Sequence, residues 1–354
     1  VKHRLLLLLL AALPLRPAAL GGQDAAKTAV RFLSAKEAGD AIVDESMEPY
    51  FSRLQPLEMI AKTGAPMTAG DLAAQRNECR RRYRDAAREF TEDEKTAIRG
   101  AAEEISAALK EPYPFFAGMP WSFIKLAPSI EGGMPHTRGA HIVMSELMAK
   151  QFPLLRARNI NPAKSRHGQT LIHEQCHVLQ RAHAARFADL YTSVWGFLRE
   201  PDLPSCPWLD KLQIINPDGP DVGWVFPAAD GKSTRYWQPL VVLKEGVDRP
   251  RMPRDFELIG IALDRKGKSF EPRLGKDGKP ETQQLEKIPA WMTAFGNVPE
   301  NFHPNETFAV LFSWLAMKEH IAETGPGLEN HADVDFTKFR DWCRKNFAGA
   351  PAKK

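Results

Sequence analysis

Three side chains able to do chemistry together stand within five residues: His173, Glu174 and His177, in the order H-E-x-x-H inside Leu171–Gln180. Apolar Leu171, Ile172, Val178 and Leu179 flank them, and no Gly or Pro interrupts the run, so a helix is the natural conformation. On a helix, residues four apart lie about 40° apart around the axis and roughly 6 Å apart along it. Two imidazoles so placed can share one tetrahedral zinc ion, and Glu174 beside them can take a proton from water at the metal. The bland reading of the same pattern is a helix that carries two surface histidines and a carboxylate.

A catalytic zinc site needs a third protein ligand and a fourth position left to water. Glu306 is the expected ligand. Pro304 suits the first turn of a helix, and Phe308, Ala309, Leu311, Phe312 and Leu315 recur with helical spacing as its buried face. Such a helix pins Glu306 to the core. A first-turn Glu that merely favours the helix dipole is the alternative. His183, Glu200 and Asp189 compete. On an unbroken helix His183 points about 80–120° away from the other two histidines. Glu200 precedes Pro201, which disfavours helix at that residue.

The chain has 354 residues, 43% of them hydrophobic, enough for a sizeable core in one large domain or two. Its net charge of +4, from 48 basic and 44 acidic residues, gives no reason to expect a nucleic-acid partner. The arginines at 80, 81, 82, 84 and 88 read as a solvated helix face balanced by nearby acids. Lys2, His3 and Arg4, the apolar run Leu5–Leu13, Pro14 and the small residues Ala18–Gly22 read as a secretory signal over residues 1–22. The run is too short to span a bilayer, and no later stretch is apolar enough to do so. The mature chain is therefore expected to be secreted, extracellular or periplasmic, without a stable membrane span. Export permits disulfides among Cys79, Cys176, Cys206 and Cys343. A Cys206–Cys343 bridge is one possibility, and Cys176 suits a small buried side chain.

The elements that must position the motif follow in order. Residues 23–90 read as a helical N-terminal region. Thr91 and Glu94 form a capping box that opens a helix to about Lys110. Trp121–Ala127 alternates like a half-buried strand, and Gly139–Ser145 reads as a second strand. The motif helix is expected from about Ser165 to Phe197. A β-rich insert over about 210–295 follows, with a hairpin turning at Ala229–Lys232 and a strand at Phe256–Leu263. Asn216-Pro-Asp-Gly219 has the residues of a cation loop, but it reads as an ordinary turn. Residues 301–320 return to helix.

A long helix, strands, then an H-E-x-x-H helix resembles the zincin metallopeptidases, over roughly residues 90–345. The resemblance implies an α+β fold in which a small mixed or antiparallel sheet packs on the active-site helix, within a domain of about residues 91–350. It also implies that an edge strand, here near Ala140–Ser145, pairs with extended substrate. Pro304-Asn-Glu306-Thr-Phe-Ala309 is similar to the Glu-bearing helix of the gluzincins. His183 falls at the metzincin position, but Gln180 stands where that family needs Gly. Glu200 lies near the thermolysin-like spacing. Zincins commonly add a Tyr or His to stabilise the oxyanion; Tyr236, His303, His320 and His331 are candidates.

The function expected is zinc-dependent hydrolysis of a peptide or protein substrate. His173, His177 and Glu306 hold Zn2+, and Glu174 acts as general base. The rivals are a catalytically silent zincin-like binding or structural module of the cell envelope, and a zinc hydrolase acting on a non-peptide amide.

Overall fold

The computed structural model describes residues 28–68, 70–296, 298–322 and 337–349. The expected signal segment and His331 lie outside them. The chain starts with strand β1 (Val30–Phe32), helices α1 (Ala35–Ile42), α2 (Pro56–Thr63) and α3 (Leu72–Asp85), and short strand β2 (Ala87–Arg88). Helix α4 (Glu92–Leu109) and the single turn α5 (Pro114–Ala117) lead to strands β3 (Trp121–Leu126), β4 (His136–Arg138) and β5 (His141–Ser145). Helices α6 (Glu146–Ala157), α7 (Arg166–Ala182) and α8 (Ala184–Asp189) follow, then β6 (Leu198–Arg199) and α9 (Pro207–Leu212). Strands β7 (Trp224–Asp230), β8 (Ser233–Leu243), β9 (Phe256–Lys266), β10 (Ser269–Pro272) and β11 (Thr282–Gln284) precede helices α10 (Pro289–Phe295), α11 (Pro304–Ala316) and α12 (Thr337–Asn346). The architecture is mixed α+β.

The first sheet has the order β1-β3-β5-β4, with β2 also pairing β3. β1, β3 and β5 run parallel; β4 is antiparallel to β5, and β2 to β3. Period-2 alternation sends Trp121, Phe123, Ile142 and Met144 into a core with α4, α7 and α11. Ile124, Leu126 and Val143 point the other way, into a core with α1, α2 and α3. The sheet is thus covered by helices on both sides. This is why β3 is buried on both faces rather than half-buried. Lys125 breaks the apolar pattern of that strand. It is matched by Glu94 at 2.7 Å and lies over the Phe90 ring.

Residues 28–90 are tied into this sheet through β1 and β2 as well as through their helices. Lys62, on α2, is fully buried. It donates to Tyr50 Oη at 2.8 Å, to both Glu131 oxygens at 3.1 Å and to Ile215 O at 2.9 Å. Glu58, one turn earlier, accepts from Ile215 N at 2.6 Å. The arginines of α3 pair locally: Arg80 with Glu45, Arg82 with Glu78 and Arg84 with Asp40.

The second sheet, β10-β9-β8-β7-β6 with β11 on β9, is antiparallel throughout. The hairpin of β7 and β8 turns where the Asp-Gly signal places it. Phe226 packs against Trp291 and Phe295 of α10, and Trp237 lies in the same main core.

Three expectations need correction. The motif helix ends at Ala182, because His183 leaves helical geometry (φ −137, ψ 40) and sets its ring edge-on to Phe115 at 4.8 Å. No Gly or Pro marks that break. Helix α11 is buried nearly all round, not along one face. The strand at 141–145 is interior to its sheet, and β4 is the edge. All four cysteines are free and buried, with Cys206 and Cys343 in separate cores. No helix among the described residues is long and apolar enough to cross a membrane.

Gly168 seats the start of α7. A Cβ there would overlap the carbonyl of Ala163 in the preceding turn. Gly168→Ala should therefore destabilise the fold by about 1–3 kcal/mol, read as a lowered urea midpoint with an unchanged slope.

Candidate metal centre

Helix α7 is capped by Ser165, whose Oγ accepts from His167 N at 3.1 Å, and it runs unbroken through the motif. Leu171, Ile172, Cys176 and Leu179 are fully buried and fix which way the helix faces. His173 and His177 then share the opposite side with their Nε2 atoms 3.1 Å apart. Helix α11 packs against α7 and brings up Glu306 in its first turn. Glu306 Oε2 lies 3.2 Å from His173 Nε2 and 3.3 Å from His177 Nε2. For a tetrahedral ion with bonds of about 2.0–2.1 Å, donor atoms stand about 3.3–3.4 Å apart. The three atoms form nearly such a triangle, and together they are a group able to hold a metal ion.

The hydrogen bonds behind the donors fix their chemical state. Gln180 Nε2 donates to the carbonyl of Asn305 at 3.0 Å and to Tyr191 Oη at 3.0 Å. A carbonyl only accepts, so the amide nitrogen must face it, and Oε1 faces His177 Nδ1 at 2.8 Å. His177 Nδ1 therefore carries the proton, and in the neutral ring Nε2 is a bare lone pair. It points at another imidazole nitrogen and at a carboxylate oxygen. A cluster so rich in lone pairs is satisfied by a cation. Burial pulls His177 toward the neutral form, but Glu306 and Asp218 carry its pKa above the ordinary histidine value. Burial also works against ionised Glu306, yet the two histidines hold its pKa well below the usual carboxylate range.

Glu306 is oriented from its other oxygen: Asn216 Nδ2 donates to Oε1 at 2.5 Å. Asn305 is held in turn by Tyr191 Oη at 2.8 Å and by His303, whose Nδ1 accepts from Asn305 N at 3.1 Å. Outer partners of this kind orient metal ligands and raise their basicity. Gln180→Leu should accordingly weaken metal affinity about 10–100-fold, measured by competition with a chelator of known affinity, with secondary structure unchanged.

Glu174 is 3% exposed, and its Oε2 has no hydrogen-bond partner among the described residues. Burial first, then Asp218, Glu306 and Glu300, push its pKa well above the carboxylate range. Asp218 lies close by, with donor atoms of Glu174, His177 and Asp218 all within 4.8 Å of one another. Asp218 Oδ1 accepts from Thr137 N at 2.5 Å and Thr137 Oγ1 at 2.7 Å. Arg181 bridges Glu48, Thr137 and the carbonyl of Pro217 and pins the same loop. His173, Glu174, Asn216, Asp218 and Glu306 line one cleft of about 600 Å3.

The other sequence candidates stand elsewhere. His183 contacts Phe115, and Asp189 accepts from Ser193. Glu200 sits beside β6, with its amide bound to Gly223 O. Tyr236 packs on Phe270 and accepts from Arg265. His303 caps α11 and donates to Asp221 O, and His320 sits edge-on to Tyr113. Sequence reasoning missed Asn216, Asp218 and Tyr191. Its one trace of the first two was the Asn-Pro-Asp-Gly turn, where two polar side chains share a tight loop.

Comparison with protein-family models, with curated proteins and with solved structures finds no match to this chain.

Proposed function

We propose that this chain is an exported zinc-dependent peptidase of zincin type, in which His173, His177 and Glu306 hold the ion and Glu174 is the general base. The observation that carries the reading is the triangle of two Nε2 atoms and one carboxylate oxygen, with the buried carboxyl of Glu174 on the same cleft. Zinc held by such a set supplies a Lewis acid that acidifies water and polarises a carbonyl oxygen. Glu174 takes the proton from the attacking water and returns it to the leaving amine. Its raised proton affinity suits both steps. Gln180 and Asn216 keep two of the donors in place, and the packing of α11 on α7 excludes bulk water from behind them.

A second reading, a metal-holding binding module, draws on a different observation. An edge strand that pairs with extended substrate needs free backbone donors, and the Thr137 N–H of β4 is already taken by Asp218. A peptidase built this way would hold substrate more by side chains than by strand pairing. The two readings part on one experiment. Metal content is measured on the purified chain, and a mixed peptide pool is incubated with it and followed by mass spectrometry, before and after chelation. Stoichiometric zinc with chelator-sensitive cleavage supports the peptidase. Zinc without cleavage supports the binding module, and the absence of bound zinc overturns both.

A further inference from the structure

A second cavity, of about 280 Å3, opens where the N-terminal helices meet the chain that follows β6. It shares no lining residue with the cleft of the donor cluster. From the helical side come Arg53, just before α2, and Arg76 of α3. From the other side come Leu203, Ser205, Leu209 and Val222.

The hydrogen bonds of the two arginines place their guanidinium groups at this seam. Arg53 reaches across it, and its Nη1 donates to the carbonyl of Pro220. Arg76 Nε donates at 2.9 Å to the carbonyl of Leu54, the residue after Arg53. Each is thus held by a single carbonyl, and a guanidinium has five N–H donors in a fork. Arg80, Arg82 and Arg84 each stand against an acid. Arg53 and Arg76, both half-buried, have no carboxylate within ion-pair distance among the described residues. The two carboxylates that line the cavity are engaged otherwise. Glu58 is buried, accepts from Ile215 N at 2.6 Å and lies 3.8 Å from Lys62. Burial pushes its pKa up to about 7. Asp210 is exposed and accepts from Ser205 Oγ at 2.6 Å.

We propose that this seam is a second binding site, for a small carboxylate held by Arg53 and Arg76 with its apolar part against Leu203, Leu209 and Val222. Guanidinium forks match the planar geometry of a carboxylate. A single charge fits better than the dianion of phosphate, because Glu58 and Asp210 line the same cavity. The volume falls just below the range of drug-sized ligand pockets and suits a molecule of amino-acid size. Glu58 holds Ile215 and Arg53 holds Pro220, so an occupied cavity braces both ends of the loop from which Asn216 reaches Glu306. The site is independent of the peptidase reading.

The test uses the full chain. N-acetyl-leucine, its amide and inorganic phosphate are titrated into the protein by calorimetry. N-acetyl-leucine should bind about tenfold or more tightly than either of the others, the scale of a hydrogen bond to a charged group. Arg53→Gln and Arg76→Gln should each weaken it by a similar factor, and Arg76→Lys, which keeps the charge without the fork, should lose less. Ser205→Glu, at an exposed position across the cavity, should weaken binding through like charge without disturbing the core. Circular dichroism checks that each variant folds. Bound N-acetyl-leucine should slow amide hydrogen exchange over residues 203–222 and leave α7 unchanged. Binding unaffected in both Arg→Gln variants, amide or phosphate bound as tightly as N-acetyl-leucine, slowing confined to α7, or no binding at all overturns the site. Zinc content and cleavage are read separately, so the site and the peptidase can each fail alone.

Discussion

Glu174→Gln should lower peptide hydrolysis by about 10²–10⁴-fold, the span that general acid–base catalysis supplies, while leaving bound zinc at the wild-type level. The substitution is nearly isosteric. It removes the proton-accepting oxygen without opening a cavity beside Leu171 or Cys176, both fully buried. The donor triangle of His173, His177 and Glu306 does not include Glu174, so metal retention separates loss of the base from loss of the site. Removing Glu174 also takes a carboxylate away from Asp218 and Glu306, and this should leave stability unchanged or slightly raised. Hydrolysis at the wild-type rate in this variant would rule out Glu174 as the base. Loss of zinc along with activity would place Glu174 among the ligands instead.

Lys62→Met should destabilise the fold by about 3–5 kcal/mol, the usual result of stripping one partner from a buried ion pair. The ammonium is enclosed and satisfies Glu131, Tyr50 and Ile215 at once. Without it, Glu131 is left as a buried carboxylate whose remaining partners are the two tyrosine hydroxyls. The double variant Lys62→Met/Glu131→Gln should recover a large part of the loss, because the uncompensated charge is then gone. Urea unfolding of the four proteins of that cycle measures both effects. The loop after Ile215 should loosen as well, since Lys62 and Glu58 hold that residue through its carbonyl and its amide. Faster amide exchange at Asn216 and Asp218 is the corresponding signature.

What could be read from the sequence was local. The H-E-x-x-H spacing, the Thr91/Glu94 capping box, the Pro304 start of α11 and the Asp-Gly hairpin each depend on residues a few positions apart, and each has a direct physical signature. Glu306 could be picked out because Pro304 and the apolar run after it mark a helix that holds its first turn against the core, although a first-turn Glu also suits the helix dipole. Properties set by distant residues were not legible. β3 shows a pattern that suits a half-buried strand, and nothing in Trp121–Leu126 says that helices from residues 35–85 cover its other face. The end of α7 has no breaker; Phe115, far earlier in the chain, receives the His183 ring. Asn216 and Asp218 looked like turn residues because that is what they are locally. Their side chains reach Glu306 and Thr137 only once the insert has folded back.

The pairing of α7 with α11 has a consequence for how the protein is made and how it comes apart. Gln180 meets Asn305, Asn216 meets Glu306, and Lys62 meets Ile215 across long stretches of chain. Closing such loops is entropically costly and makes the centre a late product of folding. A nascent chain has no donor triangle until α11 has left the ribosome. The exposed turn at Gly231–Lys232 lies between the two halves of the triangle. A single proteolytic cut there leaves both histidines on one fragment and Glu306 on the other. The nicked protein keeps its centre while the core holds, but neither fragment can rebuild it alone after unfolding.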